Sequence, residues 1–396
     1  MKMSYLKKSF IIIAKLISIT LQSNNASASL TEFPISPYLL MSEKAQLYLK
    51  FETLPKNDFK IEFETFINDD KTNQFSLDIN KNKSLYQVPI QNIECGSNFK
   101  LTLKMKQKDE KNVLIDSKEF PTLPCDEFKT LNFVFISDTQ NTTGHLNGIS
   151  KIIRKINSET PLHFIIHGGD FVRTGGSQRM WKNYFSMRKD HSDIPLIPVI
   201  GNHEYYEDFQ EKPLSSNYKR YMSNSSNSAK GYSLLSLPHF NLIRLNSNFD
   251  RQNPKEQEEQ LNWLRKVLAE SKENNKKIIV SFHHSPFTSV TSPSNYHVKR
   301  LRNQFVPLFE EYSENVLLVL TGHNHLYERS IKNNVHYLVS GPAGGIRALP
   351  FRKNPYSVFK KPLRSTFTYF SIKNKVLDLR TYDRKAQLID SLTFNL

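Results

Sequence analysis

Cysteine is nearly absent from this chain, with two residues among 396. A small fold held together by several disulfides and a cysteine-rich zinc module are both excluded. In an oxidising compartment Cys95 and Cys125 would form the single available bridge, with two free buried thiols as the alternative. Any metal ion bound by this protein must therefore rely on oxygen and imidazole ligands.

Long apolar runs are also missing, because none after the N-terminus approaches the roughly 20 residues that a membrane span needs. The first 28 residues combine a basic start, an apolar stretch over 10–21 and the small residues Ala26-Ser27-Ala28, as in a secretory signal peptide. Lys15 interrupts the apolar stretch, and an amphipathic N-terminal helix is the alternative. We expect residues 1–28 to be removed and the mature chain to be soluble and secreted or periplasmic.

Acidic residues are too few to balance the basic ones, which leaves a formal net charge of +16. This excess attracts phosphate-bearing or other anionic partners at long range, or serves only solubility. The sequence contains no recognised nucleic-acid-binding motif. With 12% aromatic and 23% charged residues, a disordered or collagen-like chain is excluded, and the length fits two or three domains.

Residues 29–126 show the period-two alternation of half-buried strands. Phe59, Ile61 and Phe63 alternate with charged residues, and apolar residues between Phe99 and Met105 follow the same pattern. Turns rich in Asn, Asp, Lys and Gly separate these segments. The pattern predicts an N-terminal antiparallel β-sandwich.

Residues 127–396 change to short, continuous apolar runs that alternate with helical patterns. The five runs are 131–136, 162–166, 194–200, 277–282 and 316–320. Asn253-Pro254 predicts the start of a helix, and the serine-rich stretch 215–228 predicts a loop. This alternation indicates βα units and sheets buried on both faces, an α/β or α+β arrangement.

Polar residues follow each of the five runs where its strand would end. They are Asp138 and Gln140, Gly169-Asp170, Gly201-Asn202-His203-Glu204, His283-His284, and Gly322-His323-Asn324-His325. Ligands bind beyond the carboxyl ends of strands in open α/β sheets, so the five ends can converge on one site. Taken singly, each of these motifs is typical of a helix cap or a turn. Taken together, they supply carboxylates, an amide oxygen and imidazoles, which suit two ions of the manganese, zinc or iron class.

These blocks resemble those of the calcineurin-like metallophosphoesterases, and Leu326-Tyr327-Glu328-Arg329-Ser330 is similar to the purple acid phosphatase branch. The resemblance implies a fibronectin-III-like β-sandwich over 29–126 and, over 127–396, a catalytic domain of two mixed β-sheets flanked by α-helices. It also implies that Asp170 bridges two ions. Asp138 and His325 would complete the first site, and Asn202, His323 and a histidine of the fourth block would complete the second.

The fourth block fits the family in two registers, one with His283 and one with His284 as the ligand, and we favour His283. By the same resemblance, His203 lies beside the phosphate as the proton donor and Asn202 contributes to catalysis as well as to the metal. His297 would contact the substrate phosphate, or would be only a surface histidine.

The chain departs from the purple acid phosphatases at two positions. Arg173 stands where those enzymes have the tyrosine that ligates ferric iron, and arginine offers no lone pair to a cation. We expect Arg173 to point away from the metals or toward the substrate phosphate. Gln140 stands where many metallophosphoesterases have a ligating histidine, so it would contact the first ion or its water. The sequence therefore predicts a colourless enzyme loaded with divalent ions.

These observations predict an exported, dinuclear metal-dependent hydrolase of phosphate esters, most simply an acid phosphatase acting on monoesters. A phosphodiesterase or nucleotidase that uses the same ions is the second reading. A third reading is not an enzyme but an inactive, basic module that binds nucleic acid or another polyanion.

Overall fold

The computed structural model describes residues 33–54, 59–80, 82–106, 112–140, 143–207, 210–211, 214–223, 230–345 and 350–396. The predicted signal peptide lies outside these ranges. No helix within them is both long enough and apolar enough to cross a membrane.

The described residues before 126 form seven strands. They are β1 (Ile35–Met41), β2 (Leu47–Glu52), β3 (Phe59–Ile67), β4 (Asp70–Ile79), β5 (Leu85–Pro89), β6 (Asn98–Lys106) and β7 (Asn112–Pro121). A four-stranded antiparallel sheet has the order β4-β3-β6-β7. Its inward side chains, such as Phe63 and Leu103, share one core with Leu49 and Phe51 of β2. The alternation of apolar and polar residues in β3 and β6 produces this one-sided burial.

After residue 126, the described residues form fifteen strands and six α-helices. The strands are β8 (Leu131–Ile136), β9 (Phe164–His167), β10 (Leu196–Pro198), β11 (Tyr206–Glu207), β12 (Gln210–Glu211), β13 (Ser233–Ser236), β14 (Asn241–Arg244), β15 (Ile278–Ser281), β16 (Val316–Thr321), β17 (Leu326–Lys332), β18 (Val335–Ser340), β19 (Ser357–Pro362), β20 (Thr366–Lys373), β21 (Val376–Asp383) and β22 (Leu388–Asn395). The helices are α1 (Thr143–Glu159), α2 (Gln178–Met187), α3 (Ser216–Met222), α4 (Pro254–Glu273), α5 (Tyr296–Gln304) and α6 (Val306–Glu311).

Two large mixed sheets pack face to face between layers of helices. The nine-stranded sheet has the order β22-β21-β20-β8-β9-β10-β1-β2-β5, and the seven-stranded sheet has the order β13-β14-β15-β16-β18-β17-β19. Phe133 and Phe135 of β8 join the core between the sheets, whereas Val134 and Ile136 face the core under α1 and α2. A third core lies under α4, α5 and α6. The predicted fold class, mixed sheets flanked by helices after an N-terminal antiparallel sheet, is confirmed.

The pairing of β1 crosses the domain boundary predicted at residue 126. β1 runs parallel to β10, with Leu40 opposite Leu196, and β2 and β5 continue the same sheet. The segment Tyr38–Met41 is an unbroken buried run, which is typical of an interior strand covered on both faces. The division into domains at 126 stays a prediction, but the nine-stranded sheet draws strands from both sides of it.

One helix lies where a loop was predicted. Residues 216–222 form α3, because the Ser215 hydroxyl caps its first turn by accepting from the Tyr218 N–H, and Tyr218 and Tyr221 are buried. The serine-rich composition led to the prediction of a loop, although the two buried tyrosines anchor a helix here. The predicted start of α4 is confirmed, because Asn253 and Glu256 form a reciprocal capping box.

The predicted disulfide is present, linking Cys95 to Cys125 across 30 residues of sequence. The chain-entropy relation gives about 3 to 4 kcal/mol for a loop of this length. We expect the double variant Cys95→Ser/Cys125→Ser to lose about that much free energy of unfolding, measured in urea without reductant. An equal loss on adding a reductant to the wild type, and none on adding it to the variant, would tie the effect to the bond.

Buried histidine outside the site predicts acid sensitivity. Burial lowers the pKa of His163 to about 4, whereas an unfolded histidine titrates near 6.5. The unfolded chain therefore takes up a proton first, and the stability contributed by neutral His163 is complete above about pH 6.5 and is lost as pH falls toward 4. We expect His163→Gln to flatten the decline of the unfolding free energy between pH 6.5 and 4.5 by up to about 2 kcal/mol, measured in urea. A variant with the same slope as the wild type would contradict this.

Candidate metal centre

The ends of strands from both large sheets meet at one place. The N–H of Asp138 donates to the Gly169 carbonyl at 3.0 Å, which joins the ends of β8 and β9. His283, after β15, places Nδ1 2.8 Å from the Gly168 carbonyl of the other sheet. The N–H of His323, after β16, donates to both carboxylate oxygens of Asp138 at 3.1 and 3.0 Å. The Asn202 Oδ1, after β10, lies 3.2 Å from His283 Nε2, so all five predicted strand ends contribute to one cluster.

Three residues of this cluster have left-handed backbone conformations. Their φ angles are +53° at Asp138, +56° at Asp170 and +65° at His323. Non-glycine residues adopt this region at an energetic cost, and such strain concentrates at functional sites. The left-handed turn directs each side chain into the cluster immediately after its strand ends.

Two glycines provide room for the carboxylates. A Cβ on Gly201 would overlap Asp170, and a Cβ on Gly322 would overlap both Ser137 and Asp138. Any larger residue at either position would displace a carboxylate of the cluster.

Asp170 lies at the centre. Its Oδ2 is 3.2 Å from His283 Nε2 and 3.1 Å from Gln140 Nε2, and its Oδ1 accepts from the N–H of His203 at 3.0 Å. On one side of Asp170, the Asn202 Oδ1 lies 3.2 Å from His283 Nε2 and 3.0 Å from His323 Nδ1. The Asn202 Nδ2 points the other way, toward the Tyr206 hydroxyl at 3.4 Å. The amide oxygen of Asn202 therefore faces the cluster and its N–H group does not.

On the other side of Asp170 lie Asp138 and His325. His325 Nε2 is 3.5 Å from Asp138 Oδ1 and 3.4 Å from Gln140 Nε2. The Ser137 hydroxyl donates to Asp138 Oδ2 at 2.6 Å. The six predicted ligand side chains thus divide into two groups that share Asp170.

The two neighbouring histidines of the fourth block have different surroundings. His283 directs Nε2 at Asp170 and Asn202, whereas His284 Nδ1 pairs with the Ser247 hydroxyl at 2.9 Å. The His284 ring stacks on His297 with the centroids 4.1 Å apart. This geometry favours His283 as the ligand, and His284 supports the wall of the site.

The buried carboxylates and imidazoles hold each other in charged forms. Burial acts to raise the pKa of Asp170, but His283 and the other histidines bring it below its usual value. Burial acts to lower the pKa of His283, and Asp170 and Asp138 together raise it to about 9. The pKa of His325 is raised against burial by its contact with Asp138. A bound cation would take the place of the protons on these imidazoles, because a histidine binds a metal in its neutral form.

Glu204 supports the cluster from beneath, although sequence reasoning gave it no role beyond its block. Its carboxylate accepts from the N–H groups of Asp170, Phe171 and Gly201 at 2.8–2.9 Å. Burial and the nearby Asp170 raise the pKa of Glu204 to about 8, and the three N–H donors favour its ionised form. Glu204 thereby fixes the turn that carries Asp170.

His203 lies at the rim of the cluster. Its Nδ1 is 2.6 Å from the Arg173 carbonyl, which can only accept, so Nδ1 carries a hydrogen. Nε2 consequently faces inward, 3.8 Å from Asp170 Oδ2. The side chain of Arg173 is exposed.

Sequence reasoning overlooked the end of β14. Ser247, just beyond it, bonds to His284, and its carbonyl lies 3.2 Å from His297 Nδ1. Asp250 Oδ1 lies 3.5 Å from His297 Nε2. The available signal was the set Phe240, Leu242, Ile243 and Leu245, which Asn241 and Arg244 interrupt, followed by polar residues as in the other five strands.

The donor set fits metal ions. The ligand atoms of Asp170, His283 and His323 all lie within 4.8 Å of one another. Carboxylate, amide oxygen and imidazole together suit divalent first-row metals, and a shared carboxylate suits a pair of them.

Comparison with known proteins identifies the family and the fold. Residues 131–327 match the model of the calcineurin-like phosphoesterase family. The structure is similar to that of the purple acid phosphatase PPD1 from yellow lupin (Lupinus luteus) seeds, with a TM-score of 0.74 and 16% identity over 92% of this chain and 75% of that one. It is also similar to GAP50, described as the anchor in the inner membrane complex of Plasmodium, with a TM-score of 0.51 and 18% identity over 67% and 89% of the two chains. No curated protein gives a significant sequence match. Through residues 131–327 the chain therefore belongs to the calcineurin-like phosphoesterases, and its fold is similar to that of a purple acid phosphatase.

Proposed function

We propose that this protein hydrolyses phosphate monoesters with two divalent metal ions, as an exported acid phosphatase. The observation that carries the proposal is the division of six ligand side chains, three of them buried and three partly buried, into two groups that share Asp170. Asp138 and His325 would hold the first ion with Asp170, and Asn202, His283 and His323 would hold the second. Bound there, such ions would supply an activated nucleophile and neutralise charge on the phosphoryl oxygens.

His203 would protonate the leaving alkoxide. Because its Nδ1–H is held by the Arg173 carbonyl, the transferable proton is the one on Nε2, which faces the cluster. Only the imidazolium carries hydrogens on both ring nitrogens, and this is consistent with an enzyme that works under acidic conditions. Asn202 would contribute to catalysis by holding the second ion through its amide oxygen, which lies between His283 and His323.

Groups at the rim support a monoester in particular. A phosphomonoester dianion carries one more negative charge than a diester. The Nε2 of His203 faces the cluster and would donate a hydrogen bond to a terminal phosphate oxygen. His297 would be a further contact, and Arg173, whose carbonyl orients the His203 ring, would add positive charge at the rim. A phosphodiesterase or nucleotidase that uses the same ions is the second candidate.

The fold alone does not establish hydrolysis, since the GAP50 structure is described as an anchor. The buried carboxylates and histidines favour an enzyme over a polyanion-binding module, because such a module has no need of them. The disulfide supports export, since such bonds persist mainly in oxidising compartments.

Hydrolysis of a panel of monoesters, diesters and nucleotides tests the proposal. Protein depleted of metal with a chelator is assayed before and after reconstitution with Mn²⁺, Zn²⁺ or Fe²⁺. We expect turnover only after reconstitution, with the highest kcat/KM for monoesters. Preference for diesters or nucleotides would select the second candidate. Salt-sensitive polyanion binding without metal-dependent turnover would instead support an inactive, polyanion-binding module.

The position of Arg173 predicts the colour of the loaded enzyme. A tyrosinate ligand to ferric iron gives the purple acid phosphatases their colour, and at that position this chain has an exposed arginine. We expect the active protein reconstituted with divalent ions to show no intense visible band. An intense charge-transfer band, or a ferric ion required for activity, would contradict this.

A further inference from the structure

A patch of basic and apolar side chains lies on β19 and on the segments that flank it. Within residues 350–364, the large apolar side chains of Phe351, Val358 and Leu363 are each 51–52% exposed. Every charged side chain of this segment is cationic and exposed, namely Arg352, Lys353, Lys360, Lys361 and Arg364. No aspartate or glutamate occurs between Glu328 and Asp378. These three apolar and five basic side chains form the β19 patch.

The fold holds the two kinds of side chain together on one outer surface. β19 is the edge strand of the seven-stranded sheet, and Val358 and Lys360 are exposed whereas Phe359 between them is partly buried. The Lys360 ammonium lies 5.2 Å from the centre of the Phe351 ring. Leu363 has a left-handed φ of +54°, which costs energy in a residue other than glycine, and its side chain is nevertheless exposed. Exposed apolar side chains grouped in this way are typical of an interaction surface.

The β19 patch is fixed to the wall of the metal centre. The N–H of Arg352 donates to the Ser289 carbonyl at 2.6 Å. Two residues after Ser289, the Thr291 hydroxyl accepts from Asn324 Nδ2 at 2.7 Å. Asn324 lies between two of the proposed metal ligands in the chain. A partner bound to the patch would therefore lie near the metal centre.

We propose that the β19 patch docks the protein on an anionic membrane surface. Its lysines and arginines lie against the lipid phosphates, and its apolar side chains enter the boundary of the acyl chains. A protein surface binds a bilayer interface through buried apolar area and through attraction to anionic lipids, and the patch offers both. This inference goes beyond the proposed function and does not depend on it.

The apolar side chains distinguish a membrane from a soluble polyanion. A nucleic acid or a sulfated polysaccharide would pair with the five cations but would leave Phe351, Val358 and Leu363 in water. A bilayer interface covers the apolar side chains and neutralises the cations together. The formal net charge of +16 acts in the same direction, because it attracts the protein to an anionic surface at long range.

Sedimentation of the full chain with lipid vesicles tests the docking. The vesicles consist of phosphatidylcholine alone or of an equal mixture with phosphatidylglycerol. We expect binding to the mixed vesicles only, and weaker binding as the salt concentration rises. In Lys353→Gln/Lys361→Gln the binding should weaken by roughly 25-fold, because each basic residue near an anionic surface contributes about 5-fold. Lys255→Gln/Lys266→Gln is the control, since it removes the same charge from exposed positions on α4.

The double variant Phe351→Ser/Leu363→Asn tests the apolar contribution. Asparagine tolerates the left-handed backbone at position 363, so the turn is retained. We expect binding to the mixed vesicles to weaken by about 100-fold, since burial of one such side chain contributes on the order of 10-fold or more. Leu114→Ser/Phe128→Ser removes an exposed leucine and an exposed phenylalanine outside the patch, and it should bind as the wild type does.

Two kinds of result would overturn the docking. Equal binding of the wild type to both vesicles, or binding to neither, would show that anionic lipid is not the partner. Loss of binding in the lysine variant with full binding in Phe351→Ser/Leu363→Asn would show that the patch recognises polyanions in general. Either result would leave the proposed hydrolysis standing, because the reconstituted enzyme is assayed on soluble esters without vesicles.

Discussion

Asp170→Asn is expected to reduce kcat/KM for a phosphomonoester by at least about 10³-fold and to reduce the metal content from two ions per chain to one or none. Asp170 Oδ2 lies 3.2 Å from His283 Nε2, and both groups of ligands depend on this carboxylate. Replacing it by an amide removes the negative charge between two cations. Losing several kcal/mol of electrostatic stabilisation corresponds to three or more factors of ten in rate. Steady-state kinetics and elemental analysis of the purified variant measure the two effects.

Asp390→Asn is the matched control. Asp390 also binds a cationic side chain, the Arg329 guanidinium, with Nε and Oδ2 2.7 Å apart, but it lies on β22 at the far edge of the nine-stranded sheet. We expect the metal content and kcat/KM of the Asp390→Asn variant to match those of the wild type. Asp170→Asn with two ions still bound and near-normal turnover would show that Asp170 does not bridge them.

His203→Ala is expected to keep both ions and to lose turnover in proportion to how poor the leaving group is. For alkyl phosphates, whose alkoxide depends on a proton donor, we expect kcat to fall by about 10²- to 10⁴-fold. For aryl phosphates with acidic phenols the loss should be much smaller, because the phenolate leaves unprotonated. Kinetics with a series of leaving groups, together with metal analysis, gives the dependence.

His239→Ala is the control for this variant. The His239 Nε2 also lies against a backbone carbonyl, that of Lys129 at 2.7 Å, but His239 contacts none of the proposed ligands. It should show the wild-type dependence on the leaving group. An equal loss for good and poor leaving groups in His203→Ala would argue against proton donation, and loss of an ion would make His203 a ligand.

The site was largely predictable because its residues follow strands that the local sequence pattern identifies. Each strand end is a short apolar run and a polar block, and both features can be read without knowing the fold. Glu204 and Ser247 could not be assigned in this way. Glu204 acts on the backbone of β9's end, 33 and 34 residues earlier in the chain, and Ser247 acts on a histidine 37 residues later. The apolar residues of 240–245 are a local signal for the strand before Ser247, but the partners of Glu204 and Ser247 depend on the tertiary fold.

The fold was predictable at the level of its elements and less so in their order. The alternating pattern correctly predicted the antiparallel sheet of β3, β4, β6 and β7, but β1, β2 and β5 of the same segment lie in the nine-stranded mixed sheet. The pairing of β20 with β8, between residues more than 230 positions apart, has no sequence signature. The helix α3 was missed because two buried tyrosines outweigh its serine-rich composition. The unbroken run in β1 was the signal for an interior strand, and its placement beside β10 required the whole sheet.

The parallel pairing of β1 with β10 also imposes an order of events on the newly made chain. Leu40 meets Leu196, so the first strand waits for about 156 more residues before its neighbour exists. At about 5–20 residues per second of synthesis, the interval is roughly ten to thirty seconds. During that time β1 and β2 expose an apolar edge suited to any other strand. Completion of the catalytic sheet is therefore a late, long-range step, and the nascent chain is most exposed to mispairing before residue 200 is made.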